Sequence, residues 1–242
     1  MAKLLTTAYL PPVSYMAAIA EEMEGLGKRS DGDSSIGLTP SVIYIEACEN
    51  YQKQSYRNRC RFLAADGVQD LNIPIIHEGG THKQPIAELR IDWSKPWLQQ
   101  HERAIISAYR TSAYFEYYMD DFFAIYEQKP ETLLELNTSL LRFLISRFGL
   151  AADLRFTTEY SRDGQIIDET QAGSSPSESS ILRTDLREAI HPKRPNTILK
   201  DLQLEKPYFQ VFAQKHGFQS DLCSIDLLFN EGPESILYLK KI

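Results

Sequence analysis

Cysteine is scarce in this 242-residue chain, with three residues in all. Cys48, Cys60 and Cys223 cannot all pair internally and do not stand at zinc-ligand spacing, so a reduced cytoplasmic setting is expected and no metal site. Long apolar runs are missing as well. Nothing approaches the ~20 residues of a membrane span, and the first residues lack a signal-peptide core. Cations are outnumbered, 26 Lys and Arg against 33 Asp and Glu, and the net charge of −7 removes the broad basic surface that a general nucleic-acid binder needs. No serine elbow, Cys-His signal, dinucleotide glycine fingerprint or phosphate-binding loop occurs. No cofactor is therefore expected, and any group-transfer chemistry would need an activated donor from outside.

What is present is an ordinary globular composition, 43% hydrophobic and 24% charged, in a chain long enough to bury a sizeable core. Lys3 to Leu10 reads as a strand stopped at Pro11-Pro12, and Val13 to Glu24 has helical apolar spacing. Tyr9 and Tyr15 flank that first turn, either as core tyrosines or beside a ligand. Gly25 to Pro40 is a polar loop, and Ser41 to Ala47 a short buried strand delivering a polar loop from Glu46 to Lys53.

The densest cation cluster follows: Lys53, Arg57, Arg59 and Arg61 within nine residues of an acidic chain. Asp66-Gly67 signals a hairpin between Tyr56–Ala65 and Val68–His77. With those two residues at the centre of the turn, Phe62 faces Leu71, Cys60 faces Ile73, Asn58 faces Ile75 and Tyr56 faces His77. Alternation then puts Tyr56, Asn58 and His77 on the core face and turns Arg57, Arg59 and Arg61 away from it. Those arginines are either a solvated face or curl round the strand to an anion. An inward amide such as Asn58 must be hydrogen-bonded.

Glu78 to Gln84 reads as a loop and Pro85 to Asp92 as another strand. A helix over Trp97–Arg110, with Ser94 as a cap near its start, carries Trp97, His101, Ile105 and Ala108 on one inward stripe. His101 is thus either a packed, hydrogen-bonded histidine or a proton-transfer group. Two more helices follow, an aromatic one over Ala113–Glu127 and a leucine-striped one over Glu131–Phe148 that Gly149 ends. Leu154 to Tyr160 reads as a strand, and Gln171 to Ser180 as a linker or a ligand-ordered loop. A second basic patch, His191-Pro192-Lys193-Arg194-Pro195, precedes a short helix at Tyr208–Lys215 and another from Ile225, interrupted at Gly232-Pro233. Helices alternating with strands and no internal repeat predict a single mixed α/β unit: a central sheet with a β-hairpin, covered by several helices.

Tyr9-Leu10-Pro11, Asn50-Tyr51-Gln52-Lys53, Arg57-Asn58-Arg59, Leu71-Asn72-Ile73-Pro74-Ile75, Trp97 with His101, and Ile225-Asp226-Leu227-Leu228-Phe229-Asn230 together resemble the WbqC-like family. Many relatives have Ser-Gln-Pro leading into Tyr-Leu-Pro-Trp. Here Thr6-Thr7-Ala8 precede and Pro12 follows. The resemblance implies a cytoplasmic transferase that moves an acyl or aminoacyl group, possible glycine transfer included, onto a nucleotide- or carrier-linked sugar in surface-polysaccharide biosynthesis. On that basis His77 or His101 is the expected base, with Tyr56, Asn58, Trp97 and Tyr9 around the ligand. Lys53, Arg57 and Arg59 would hold a phosphate of a small anionic ligand such as a nucleotide-sugar. The alternative is a non-catalytic protein binding an anionic sugar or a protein partner.

Overall fold

A computed structural model describes residues 2–21, 41–76, 84–162, 166–167, 180–181 and 183–241. The expected loops at 25–40 and 78–83, the segment 171–179 and His77 lie outside these residues. Four strands, β1 (Ala2–Thr6), β2 (Ser41–Glu46), β5 (Ala152–Phe156) and β8 (Arg183–Asp185), form one all-parallel sheet in the order β5-β2-β1-β8. Parallel strands are covered on both faces, which is why β1 is buried at every position despite containing Lys3. Alternation sends Leu5, Ile43 and Ile45 into the main core, while Ala2, Leu4 and Tyr44 pack on the opposite face. Lys3 shares the main-core side, and its ammonium is satisfied by the Ala18 carbonyl and Glu21, both 2.5 Å away at the end of α1 (Val13–Ala20).

The hairpin of β3 (Arg59–Ala64) and β4 (Gly67–Asn72) forms a separate two-stranded sheet. Its register differs from the expected one by two residues: Phe62 faces Gln69 and Cys60 faces Leu71. The turn is centred on Ala65-Asp66 because only Gly67, at φ 108°, takes a positive dihedral there, and a tight turn on Asp66-Gly67 would require one at Asp66 too. A shift of two leaves the faces unchanged, so Cys60, Phe62, Leu71 and Ile73 are all buried.

Pro85 to Asp92 is not a strand. Ile86–Glu88 is a 3₁₀ turn, and the flanking residues make single bridges to Asn50, Ile75 and Thr132, three partners that cannot share one ladder. Helices α2 (Trp97–Tyr109), α3 (Phe115–Glu127) and α4 (Leu133–Arg147) follow. α2 has no side-chain cap; Ser94 instead donates to Asp92 Oδ1 at 2.5 Å in the preceding turn. α4 opens on a capping box in which Thr132 Oγ1 accepts from Glu135 N and Thr132 N donates to Glu135 Oε2. Gly149, at φ 64°, closes it.

A short ladder pairs β6 (Ile166–Ile167) with β7 (Ser180–Ile181). Beyond β8 come α5 (Ile198–Asp201), α6 (Ala213–His216), α7 (Ser224–Glu231) and a 3₁₀ segment over Gly232–Tyr238. α6 is shorter than expected, since Tyr208 and Gln210 turn their polar groups to Asp226 on α7 instead of continuing a helix. Phe122 sits where the helices meet, edge-on to Tyr126 and Phe229 and tilted against Phe143. Among the described residues no helix is long and apolar enough to cross a membrane, and no three metal-ligating side chains cluster.

Candidate functional site

In an open α/β sheet the crevice forms at the carboxyl ends of the strands, where the path of the chain reverses. Here the chain runs from β1 outward to β2 and β5, then crosses back to β8 on the other side of β1, so the reversal lies between β1 and β8. The N-terminus of α1, which follows β1, is already filled by the chain itself. Asp221 Oδ1 accepts from Ser14 N at 2.8 Å, and the Leu222 carbonyl accepts from Val13 N at 2.9 Å. The place where a dinucleotide would put its pyrophosphate is thus closed.

The open space lies beside it. Glu46, the last residue of β2, has a fully buried carboxylate held by four donors. Oε1 accepts from Thr157 Oγ1 (2.6 Å) and Cys48 N (3.1 Å), and Oε2 from Ser161 N (3.1 Å) and Arg187 Nη1 (3.0 Å). Arg187 stands two residues past β8 and turns its remaining edge to Asp185, with Nη2 at 2.7 Å from Oδ2 and Nε at 3.0 Å from Oδ1. The Tyr160 ring lies 5.1 Å from the guanidinium carbon. Burial works against the Arg187 charge, but Asp185 outweighs it and holds the guanidinium above its ordinary value. Burial likewise opposes the Asp185 charge, and Arg187 overrides it, keeping that carboxyl below the usual range.

A second pair sits alongside. Arg57 donates from Nε to Glu49 Oε1 at 2.8 Å and from Nη2 to Oε2, both residues being buried. Burial pushes the Glu49 carboxyl up; Arg57 pulls it part of the way back, while the Glu46 charge adds to the rise. From α4, Asn137 Nδ2 ties the Arg57 carbonyl (2.8 Å) to Thr7 Oγ1 (3.0 Å), anchoring the pair to the end of β1. The result is a polar crevice of about 300 Å³, with Glu49, Asn50, Tyr51 and Gln52 on one wall and Tyr160, Asp185, Arg187 and Glu188 on the other. The turn at His191–Arg194 meets the loop beyond Gln52 and the wall residue Glu188. Lys193 donates to Gln54, and the Arg57 charge is near enough to His191 to help lower its pKa, after burial and the Arg194 charge.

The residues singled out from the sequence fall into three places. Arg57 does not point outward as strand alternation required. β3 begins only at Arg59, so Arg57 lies in the irregular turn before it and swings inward to Glu49. Tyr56 is buried, with its carbonyl accepting from Tyr9 N, and Asn58 is fully engaged, donating to the Ile73 carbonyl and accepting from Tyr51 on the crevice wall. Lys53 is exposed, one residue past Gln52 of the crevice wall. Arg59 lies along the hairpin, on Asn72 (2.9 Å) and Asp70 (3.4 Å). Tyr9, Trp97 and His101 make up a different cluster, buried under α2 and α3: His101 Nδ1 is 2.9 Å from Tyr9 Oη, which is 3.0 Å from Tyr126 Oη, and Trp97 meets the imidazole edge-on. Burial drives the His101 pKa down to about 4, so the ring is neutral. Glu46, Glu49, Tyr160, Asp185 and Arg187 were not singled out. The available signal was a charged residue ending a short strand, as Glu46 and Asp185 both do.

Sheet and crevice together define a parallel α/β protein with a built polar site at its strand ends. Comparison with known proteins gives the narrower assignment: the chain belongs to the WbqC-like protein family, whose model matches residues 39–238. It is also similar to the uncharacterized protein Rv1507c of Mycobacterium tuberculosis, 29% identical over 210 residues that span 82% of this chain and 87% of that protein. No solved structure matches the chain.

Proposed function

We propose that the chain is a cytoplasmic group-transfer enzyme of surface-polysaccharide assembly, placing an acyl or aminoacyl group, such as glycyl, on a nucleotide- or carrier-linked sugar held in the crevice. The observation that carries this reading is the wall itself: carboxylates of Glu49, Asp185 and Glu188 and the side chains of Asn50 and Gln52, flanked by Tyr51 and Tyr160. Sugar hydroxyls are donors that seek such acceptors, and the apolar faces of a sugar ring suit tyrosine. Glu49 is the proposed base. Its raised pKa strengthens it toward a proton, and the Arg57 pair keeps it fixed. It takes the proton from an acceptor hydroxyl or amine as that atom bonds to the acyl carbon of an activated donor, and the donor's leaving group departs with its electron pair.

A second reading, a non-catalytic sugar binder, is favoured by one observation: the only histidine of the Trp97–Tyr126 cluster is buried and bonded to tyrosine, away from the crevice wall. Turnover by purified protein with a panel of nucleotide-sugars and an aminoacyl or acyl thioester donor separates the two. Glu49→Gln is expected to abolish transfer while retaining sugar affinity. Transfer lost in His77→Ala or His101→Ala but intact in Glu49→Gln moves the base to a histidine, and sugar binding without any transfer leaves the binder.

A further inference from the structure

We propose that Lys53 and Lys193 form a phosphate subsite at the mouth of the crevice, a proposal that rests on the sugar-ligand reading and names where the charged end of that ligand lies. Four of the other cations near the crevice are committed. Arg57 gives two donors to Glu49, Arg187 divides its donors between Asp185 and Glu46, and Arg194 is paired with Glu188. Arg59 is engaged along the hairpin by Asp70 and Asn72. A phosphate entering the floor would have to displace a carboxylate from a guanidinium that already holds it, and would face Glu49, Asp185 and Glu188 across about 300 Å³.

The two lysines differ from these. Lys193 reaches across to the side-chain oxygen of Gln54, a neutral acceptor that leaves its charge unbalanced. Lys53 is the residue before Gln54, is exposed, and pairs with no carboxylate among the described residues. The backbone on both sides is preset. Ser55 Oγ donates to the Gln52 carbonyl at 2.7 Å, which curls the loop that carries Lys53. Opposite, Arg194 N donates to the His191 carbonyl and Lys193 N to His191 Nδ1, each at 3.2 Å, with Pro192 fixing the turn between them. Lys193 meets the loop at Gln54, the residue after Lys53, so a dianion bound at that crossing lies within reach of both loops and offsets the repulsion between two like charges. A compact point charge suits a phosphate that is approached from several directions. The sugar of a phosphate-bearing ligand therefore goes in first, hydroxyls to the acceptor-rich floor, and the phosphate stays at the mouth.

The test is titration calorimetry of inorganic pyrophosphate at low salt against wild type and the Lys53→Ser/Lys193→Ser double variant. Both side chains are on the surface, so the variants fold, which circular dichroism checks. The expected result is saturable binding that weakens with salt and falls about tenfold or more in the double variant, with each single variant between. No saturable binding to wild type, an unchanged affinity in the double variant, or an affinity lost only in Arg59→Ser overturns the subsite. Pyrophosphate carries no sugar, so its failure is distinct from failure of the functional reading: lysine-dependent binding of pyrophosphate in a chain that accepts no nucleotide-sugar supports the subsite and removes the transferase.

Discussion

Two buried ionisable groups that the crevice does not use oppose each other in the pH dependence of stability, and single substitutions should unmask each. His101 has its pKa lowered by burial from 6.5 to about 4. Between those values the unfolded chain binds more protons than the folded one, so stability is present above pH 6.5 and is lost as pH falls toward 4. Asp226 is the reverse case. Burial raises it from 3.8 to about 6 against the hydrogen bonds from Tyr208 and Gln210, so the folded state binds more protons and stability is recovered as pH falls from 6 toward 3.8. At about 1.4 kcal/mol per pH unit of displacement, each group contributes on the order of 3 kcal/mol over its full window. Between pH 7 and pH 5 His101 removes about 2 kcal/mol and Asp226 returns about 1 kcal/mol, leaving a shallow net slope from the pair. The assay is urea denaturation followed by Trp93 and Trp97 fluorescence at both pH values, on wild type, His101→Gln and Asp226→Asn. Glutamine keeps an acceptor for Tyr9, and asparagine keeps one for Tyr208. On acidification from pH 7 to pH 5, and relative to the change in wild type, His101→Gln should gain about 2 kcal/mol and Asp226→Asn should lose about 1 kcal/mol. Other titrating carboxylates are common to all three proteins and cancel in the comparison. Parallel pH profiles for the two variants would refute the reasoning.

Arg187→Met should cost on the order of 3–5 kcal/mol in denaturant unfolding, because it strands the buried Glu46 carboxylate beside Asp185; a loss under about 1 kcal/mol would mean that the other three donors suffice. Thr132→Ala removes the α4 capping box and should lower stability by about 1 kcal/mol, read as a fall in Tm of roughly 2–4 °C. Gly232→Ala should destabilise by more than about 2 kcal/mol, since φ is 54° and the new methyl would lie 2.5 Å from the Tyr114 ring. Adding Tyr114→Ala to that variant should recover part of the loss if the clash matters and none if the dihedral alone does.

The fold was legible wherever one periodicity governed an element. α2, α3 and α4 follow from apolar stripes, and Gly149 ends α4 as its place requires. The faces of the hairpin were legible even though its register was not, because a displacement of two residues preserves alternation while moving every partner. The polar geometry was less accessible for a physical reason. Alternation holds only inside a strand, and Arg57 sits two residues before β3 begins, where the backbone direction depends on partners 8 and 80 residues away at Glu49 and Asn137. Glu46 and Arg187 meet across 141 positions through sheet order alone, and no local pattern encodes the return of β8 to the side of β1.

The same point bears on which members of a run of cations are free to meet an anion. Counting Lys53, Arg57, Arg59 and Arg61 gives four charges, but whether a charge is available depends on the carboxylates that the fold brings to it. Arg57 and Arg187 are consumed in making the crevice rigid: an unpaired guanidinium at their burial is too costly to leave without a counter-ion, and a paired one has little attraction left for a ligand. An exposed lysine on a neutral amide keeps its charge available. On the proposed subsite, the buried ions hold the shape of the crevice and the attraction for anions lies at its rim. Charge reversal at Lys193, as Lys193→Glu, should therefore abolish pyrophosphate binding while leaving urea unfolding within about 0.5 kcal/mol of wild type. A large loss of stability in that variant would place Lys193 in the structural set with Arg57 and Arg187.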